Sequence, residues 1–152
     1  MQPTAEQFTE KAWAAIMSAQ QLAQNRRHQQ LESEHLLRAL LDQEGWAGRI
    51  LDKAGVSTPA LQTAVDTYLS QQPSLTNAPD SVFLGKDLNG LLDRAETLKQ
   101  SYGDSFISIE HLLLALADDG RCGRQLLSQA GTDTSRLKTA INAVRGSQKV
   151  TD

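Results

Sequence analysis

The sequence predicts an all-α fold in which a four-helix repeat occurs twice, giving eight helices. Three observations carry this expectation. First, residues 31–41 recur as residues 107–117: Glu34, His35, Leu36, Leu37, Ala39 and Leu40 match Glu110, His111, Leu112, Leu113, Ala115 and Leu116 at one offset (110 − 34 = 76). Extending that register without a gap pairs residues 8–69 with 84–145 and gives 17 identities in 62 positions, where unrelated sequences would give roughly 4. Second, apolar residues recur at three- and four-residue spacing, the period of a helix face. Third, an Ala-Gly pair closes the same helix in both copies.

Taken in order, Ala12, Ile16, Ala19, Leu22 and Ala23 mark an amphipathic helix from about residue 9 to 25. Thr9 is its expected N-cap, with Phe8 and Trp13 placed to form a hydrophobic staple. Thr4, boxed with Gln7, is a rival cap. The partner helix, about 86 to 101, carries Leu88, Leu91, Leu92, Ala95 and Leu98, but has Gly85 where the first copy has Thr9. The Glu-His-Leu-Leu helix follows a polar loop in each copy. Ser33 or Ser108 stands near its start, and an acidic residue sits in its first turn, favourable against the helix dipole. A third helix, about 46 to 54 and 122 to 130, stops at Ala54-Gly55 and Ala130-Gly131, where glycine can turn left-handed. The fourth runs from Pro59 to about Leu69, and from about Ser135 to Arg145. Repeat 1 thus covers about residues 4–70 and repeat 2 about 84–145. Between them, residues 71–83 read as an irregular connector, a hinge or tether with Pro73, Pro79 and small polar residues. After residue 145 the chain turns polar and aperiodic, a linker composition.

A chain of 152 residues is long enough to bury a real core. With 15 basic and 18 acidic side chains, a net charge of −3 and no Lys/Arg run, it lacks the footprint needed to hold a phosphate backbone, so nucleic acid is not an expected partner. Its apolar runs are too short to span a bilayer, and it has no leader-like start, so no membrane association is expected. The single cysteine, Cys122, can form no internal disulfide, which suits a reducing, cytoplasmic setting.

No GxxxxGK[ST], HExxH, CxxC or GxSxG pattern is present, so catalysis has no evident home and no catalytic residue is assigned. His35 and His111 are read as first-turn capping residues rather than metal ligands, and no metal site is expected. Cys122 lies beside Arg121 and Arg124, which could lower its pKa, but no resolving thiol exists; it is read as an ordinary half-buried thiol. Trp13 matches Asn89 in the second copy, which argues for partial exposure; for Trp46, core packing and exposure are equally compatible with the sequence.

The Ile/Leu-x-x-Glu-His-Leu-Leu-x-Ala-Leu repeat, the opening Phe-Thr-x-x-Ala, the Ala-Gly stops and Gly-Asp-x-Phe-Ile-Ser resemble the N-terminal domain of Clp ATPases, in particular that of ClpB-like chaperone disaggregases, over essentially all of residues 8–152. The resemblance implies a pseudo-twofold axis between the repeats, one domain over residues 1–145, and a linker to an ATPase module beginning at 146–152. It implies a mobile domain that captures unfolded or aggregated polypeptide, in a parent that forms a homohexamer and works with a DnaK-type chaperone system. ATP and Mg would belong to that parent; this stretch, expected to be monomeric by itself, would carry no cofactor. Adaptor docking, as in ClpA and ClpC relatives, is the alternative role. The resemblance further implies functional importance for Thr9, Asp104 and Glu110. Together with an apolar groove lined by Trp13, Leu88, Leu91 and Leu92, these residues form the expected client-binding surface, an apolar floor with an acidic rim.

Overall fold

In the computed structural model residues 1–146 are described, and among them eight α-helices fall into two matching sets of four. The first set is α1 (Glu10–Asn25), α2 (Ser33–Asp42), α3 (Trp46–Lys53) and α4 (Thr58–Ser70). The second is α5 (Lys86–Tyr102), α6 (Ile109–Ala117), α7 (Gly123–Gln129) and α8 (Thr134–Arg145). Both candidate caps at the N-terminus are used. Thr4 boxes with Gln7 around a single 3₁₀ turn, Ala5–Gln7, and Thr9 Oγ1 accepts from the Ala12 amide at 3.2 Å to cap α1. The Phe8 and Trp13 rings meet at 5.6 Å between centroids, closing the staple over that cap.

Helices α2 and α6 form the centre. Every residue of α6 is buried, as is all of α2 except Arg38 and Asp42. Such short helices owe their stability to burial, each enclosed leucine contributing about 1.5–3 kcal/mol. Helix α1 packs on α2 and α5 on α6 in the same way. The third helices reach across: α3 lies mainly against α6 and α8 of the second repeat, and α7 packs on α2 and α4 of the first as well as on its own α6. The repeats are therefore interlocked across a pseudo-twofold axis, and are not two half-domains meeting at a flat face.

A second exchange between repeats involves short parallel pairings that the sequence reading did not anticipate. Strand β1 (Gln30–Leu31) pairs with β2 (Phe83–Leu84), matching Leu31 with Leu84, while Phe8 bridges to Ile107. These are the same contact seen twice, because 8 + 76 = 84 and 31 + 76 = 107. Two residues are too few to show the alternation that marks a strand. The exchange also explains Gly85. Its missing cap is supplied by Glu32 of the other repeat, whose Oε1 accepts from the Leu88 amide at 3.0 Å, and a Cβ on Gly85 would lie 2.1 Å from the Glu32 carboxyl carbon.

The Ala-Gly stops close both third helices in the same motif. Gly55 and Gly131 have φ of 82° and 95°; the Val56 and Thr132 amides donate to Leu51 and Leu127 carbonyls at 2.9 and 3.0 Å. The connector is irregular up to Val82 but is not a free hinge. The Leu75 amide donates to the Arg27 carbonyl at 2.8 Å, Arg27 donates to the Thr76 carbonyl at 2.9 Å, and Gln29 to the Ser81 carbonyl at 3.1 Å. The expected linker at 146–152 lies outside the described residues apart from Gly146.

Candidate functional site

Each central helix begins with a histidine folded back on its own start. The Glu32 amide donates to His35 Nδ1 and the Ser108 amide to His111 Nδ1, both at 2.9 Å. A ring nitrogen that accepts from an amide carries no proton, so the neutral ring keeps its proton on Nε2. His35 Nε2 therefore donates to His28 Nδ1 at 2.8 Å, and His111 Nε2 to Asp104 Oδ2 at 2.8 Å. The two acceptors are equivalent positions (28 + 76 = 104), one neutral and one a carboxylate. Burial is the main cause that holds both rings below the ordinary histidine value, His35 down to about 4. In His111 the Asp104 bond opposes it.

Around His111 the chain assembles a buried ionic cluster. Arg145 donates from Nη2 to Asp104 Oδ1 at 2.7 Å and from Nη1 to Asp104 Oδ2 at 2.9 Å, and reaches Glu110 Oε2 at 3.5 Å. The Tyr102 ring lies under the guanidinium at 5.0 Å and against His111 at 5.7 Å. Hydrogen bonding to Asp104 raises the Arg145 pKa against the cost of burial, so the cation is secure. The equivalent cluster in the first repeat takes its cation from the second. Arg121 grips Glu34 through Nε and Nη2, both at 2.9 Å, and its Nη1 stands 3.7 Å from Glu32 and from Asp87.

The residues expected to bind clients are thus distributed unequally. Asp104 and Glu110 come together on Arg145, while the Thr9 amide donates at 2.9 Å to the carbonyl of Ile107 and its side chain caps α1. The acidic rim is not formed, because Asp104 and Glu110 are buried and turned onto Arg145. Leu88, Leu91 and Leu92 do not line an open groove: they are 2%, 0% and 1% exposed. All three belong to the core, together with Ala95 of the same stripe. Trp13 is half-buried over Phe8. Trp46 opens α3, also half-buried, with Arg49 5.1 Å above its ring. Cys122 is fully buried, and its thiol is pushed up by burial, then by Glu34 and Asp119, which outweigh Arg121. Arg145, Arg121, His28 and Glu32 were missed. Only the offset hints at one of them, by matching His28 with Asp104.

The surface instead offers a groove of about 500 Å³ between α5, α6 and the start of α8. Its apolar lining is the half-buried Leu98, set over Leu114 and Ala115, which are each 1% exposed, and its rim carries both charge signs: Asp93 and Asp118, Arg94 and Lys138. Arg94 Nη2 donates to the Ala115 carbonyl at 3.2 Å, bracing the groove against the last turn of α6. Among the described residues no group of three His, Cys, Asp or Glu side chains is arranged to hold a metal ion. None of their helices is long and apolar enough to cross a membrane.

The family described as the Clp repeat (R) N-terminal domain matches residues 7–130. The chain is 68% identical over 152 residues to "Chaperone protein ClpB 1" of Parasynechococcus marenigrum, covering 100% of this chain and 18% of that protein. It is 53% identical over 153 residues to "Chaperone protein ClpB" of Gloeobacter violaceus, with 99% and 18% covered. Among solved structures it is similar to the Hsp104 N-terminal domain from Candida albicans, with a TM-score of 0.87, 27% identity and 97% of each chain covered. The N-terminal domain of ClpV1 ATPase from E. coli gives 0.77, 25% identity, and 91% and 86% coverage. The chain thus spans about a fifth of the length of the curated relatives it matches.

Proposed function

Because the chain belongs to the Clp repeat (R) N-terminal domain family, we propose that it is the substrate-recognition domain of an ATP-dependent protein disaggregase, holding segments of unfolded or aggregated polypeptide for delivery to an ATPase ring. The observation that carries this reading is the groove between α5, α6 and α8, where the half-buried Leu98 lies inside a rim of both charge signs. Such a site suits extended segments of many sequences, since an apolar side chain can cover Leu98 while the rim accommodates either charge. Ordering an unfolded chain is costly, so a single site binds weakly, with a dissociation constant on the order of micromolar or above. The ATP and Mg of such a protein, its hexameric ring and its cooperation with a DnaK-type system belong to polypeptide beyond this chain. The chain by itself is expected to have no ATPase activity.

The test is chemical-shift mapping of the 152-residue chain with a chemically reduced, permanently unfolded protein. Perturbations are expected at Thr97, Leu98 and Lys138. Thr97, exposed on the groove wall, can be changed to Trp to fill the trough. The Thr97→Trp chain should keep its thermal midpoint and weaken client binding about tenfold or more. Undiminished binding, or shifts elsewhere on the surface, would remove the groove as the site. Shifts produced only by folded adaptor proteins would replace client capture by adaptor docking.

A further inference from the structure

Arg145 is the last residue of α8, and a buried polar cluster of the second repeat is built around it. Both oxygens of Asp104 hold it in a fork at 2.7 and 2.9 Å, Glu110 stands at 3.5 Å, and Tyr102 stacks beneath. Asp104 is fixed in turn by the Nε2–H of His111, whose own orientation is set by the Ser108 amide. The chain of bonds runs from the start of α6, at the centre of the fold, to the end of α8. The first repeat has no counterpart: its position equivalent to Arg145 is Leu69 (145 − 76 = 69), an ordinary core residue, and its cluster borrows Arg121 from elsewhere. The pin is thus an addition specific to the end of the second repeat.

We infer that Arg145 is a positioning residue which, held by Asp104 and Glu110, pins the end of α8 to the start of α6 and so fixes the direction in which any following polypeptide leaves the domain. This rests on the reading of the chain as a recognition domain, because only there does the hold between a capturing surface and a distant motor matter. It assigns the two carboxylates a role other than contact with client. Buried and satisfied by a guanidinium, they have little to offer a passing segment, whereas the fork they make is strong and geometrically exacting.

The test uses Asp104→Asn, which keeps size but removes the charge, and Arg145→Lys, which keeps the charge but removes the planar fork. Amide hydrogen exchange is followed in the 152-residue chain, as is affinity for the reduced unfolded protein; disaggregation is measured in the full-length protein carrying each change. Amides of residues 142–146, the last of which donates to the Asn142 carbonyl at 2.9 Å, should exchange about tenfold faster or more in Asp104→Asn and Arg145→Lys. The amides of Leu36 and Leu37 in α2 should be unchanged, client affinity should stay within about twofold, and disaggregation should fall in both variants. The proposal is overturned if Asp104→Asn weakens client binding while Arg145→Lys does not, which would make Asp104 a client contact. Equal acceleration of α2 and α8 amides also overturns it, since the cluster would then be general scaffolding. A parent chain that binds no unfolded protein would sink the recognition reading alone, leaving the exchange result to stand or fall separately.

Discussion

At the scale of single residues, the two copies run an internal control on left-handed backbone. Helix α5 ends on Gly103 at φ 72°, with the Asp104 amide returned to the Lys99 carbonyl at 3.0 Å. Helix α1 ends on the equivalent Arg27 at φ 62°, with the His28 amide returned to the Ala23 carbonyl at 2.9 Å. The geometry is the same, but a Cβ in this region costs about 1–2 kcal/mol. Arg27→Gly should therefore stabilise the chain by about 1 kcal/mol, reduced by loss of the exposed bond to Thr76, while Gly131→Val should destabilise it by about 1–2 kcal/mol. Urea midpoints decide both: a less stable Arg27→Gly would mean that the connector contact outweighs the strain. The Ala-Gly stops were legible because glycine at a helix end has one dominant use. Arg27 was not, because nothing in an arginine codon announces a positive φ. Arg145 and Arg121 were hidden for a related reason: a charged residue reads as solvated until the fold shows a carboxylate buried opposite it.

At the scale of elements, the histidine boxes tie the central helices to pH. His35 is buried neutral, accepting at Nδ1 from its own N-cap amide and donating to His28, so a second proton must break one of these bonds. Its folded pKa of about 4 lies below the value of 6.5 it would have unfolded. The folded state consequently binds fewer protons, so this stability is complete above about pH 6.5 and is lost progressively as pH falls towards 4. The full loss is on the order of 3 kcal/mol, with His28 and His111, also lowered by burial, acting in the same direction. His35→Gln keeps an acceptor at the third helical position and removes the titration. It should flatten the fall in urea midpoint between pH 6.5 and 4 relative to the parent; parallel curves would place the proton uptake elsewhere. The helices themselves, the Thr9 cap and this capping use of histidine were readable from spacing and local chemistry, whereas Glu32, which opens α2 and caps α5, was not. The groove was not. The sequence marks Leu88, Leu91 and Leu92 as one apolar stripe, but a stripe does not say how much of it the neighbouring elements cover, and in the fold all three are enclosed.

At the scale of the whole molecule, interlocking is the property the duplication could not announce. Periodicity finds the same four helices twice, yet whether α3 packs on its own repeat or on the other depends on contacts between residues far apart in sequence. The cross-packing of α3 and α7, the exchanged pairings at Phe8 and Leu84, and Glu32 capping α5 all bind one repeat to the other. Unfolding should therefore be a single cooperative transition. The sharpest test of that coupling is the fork of Arg121 on Glu34, because it joins the repeats through a carboxylate only 1% exposed. Removing the cation alone strands a buried charge, so Arg121→Met should cost about 3 kcal/mol. Glu34→Gln should cost less, since Arg121 lies at the edge of the interface and retains access to water, Glu32 and Asp87. Making both changes removes the stranded charge as well as the bond, so the double variant should be more stable than the sum of the single losses by at least about 1 kcal/mol. Calorimetry of all four proteins closes the cycle. Additive losses would show that the fork does not couple the repeats, and a second, earlier transition in Arg121→Met would show that one repeat can unfold while the other stands.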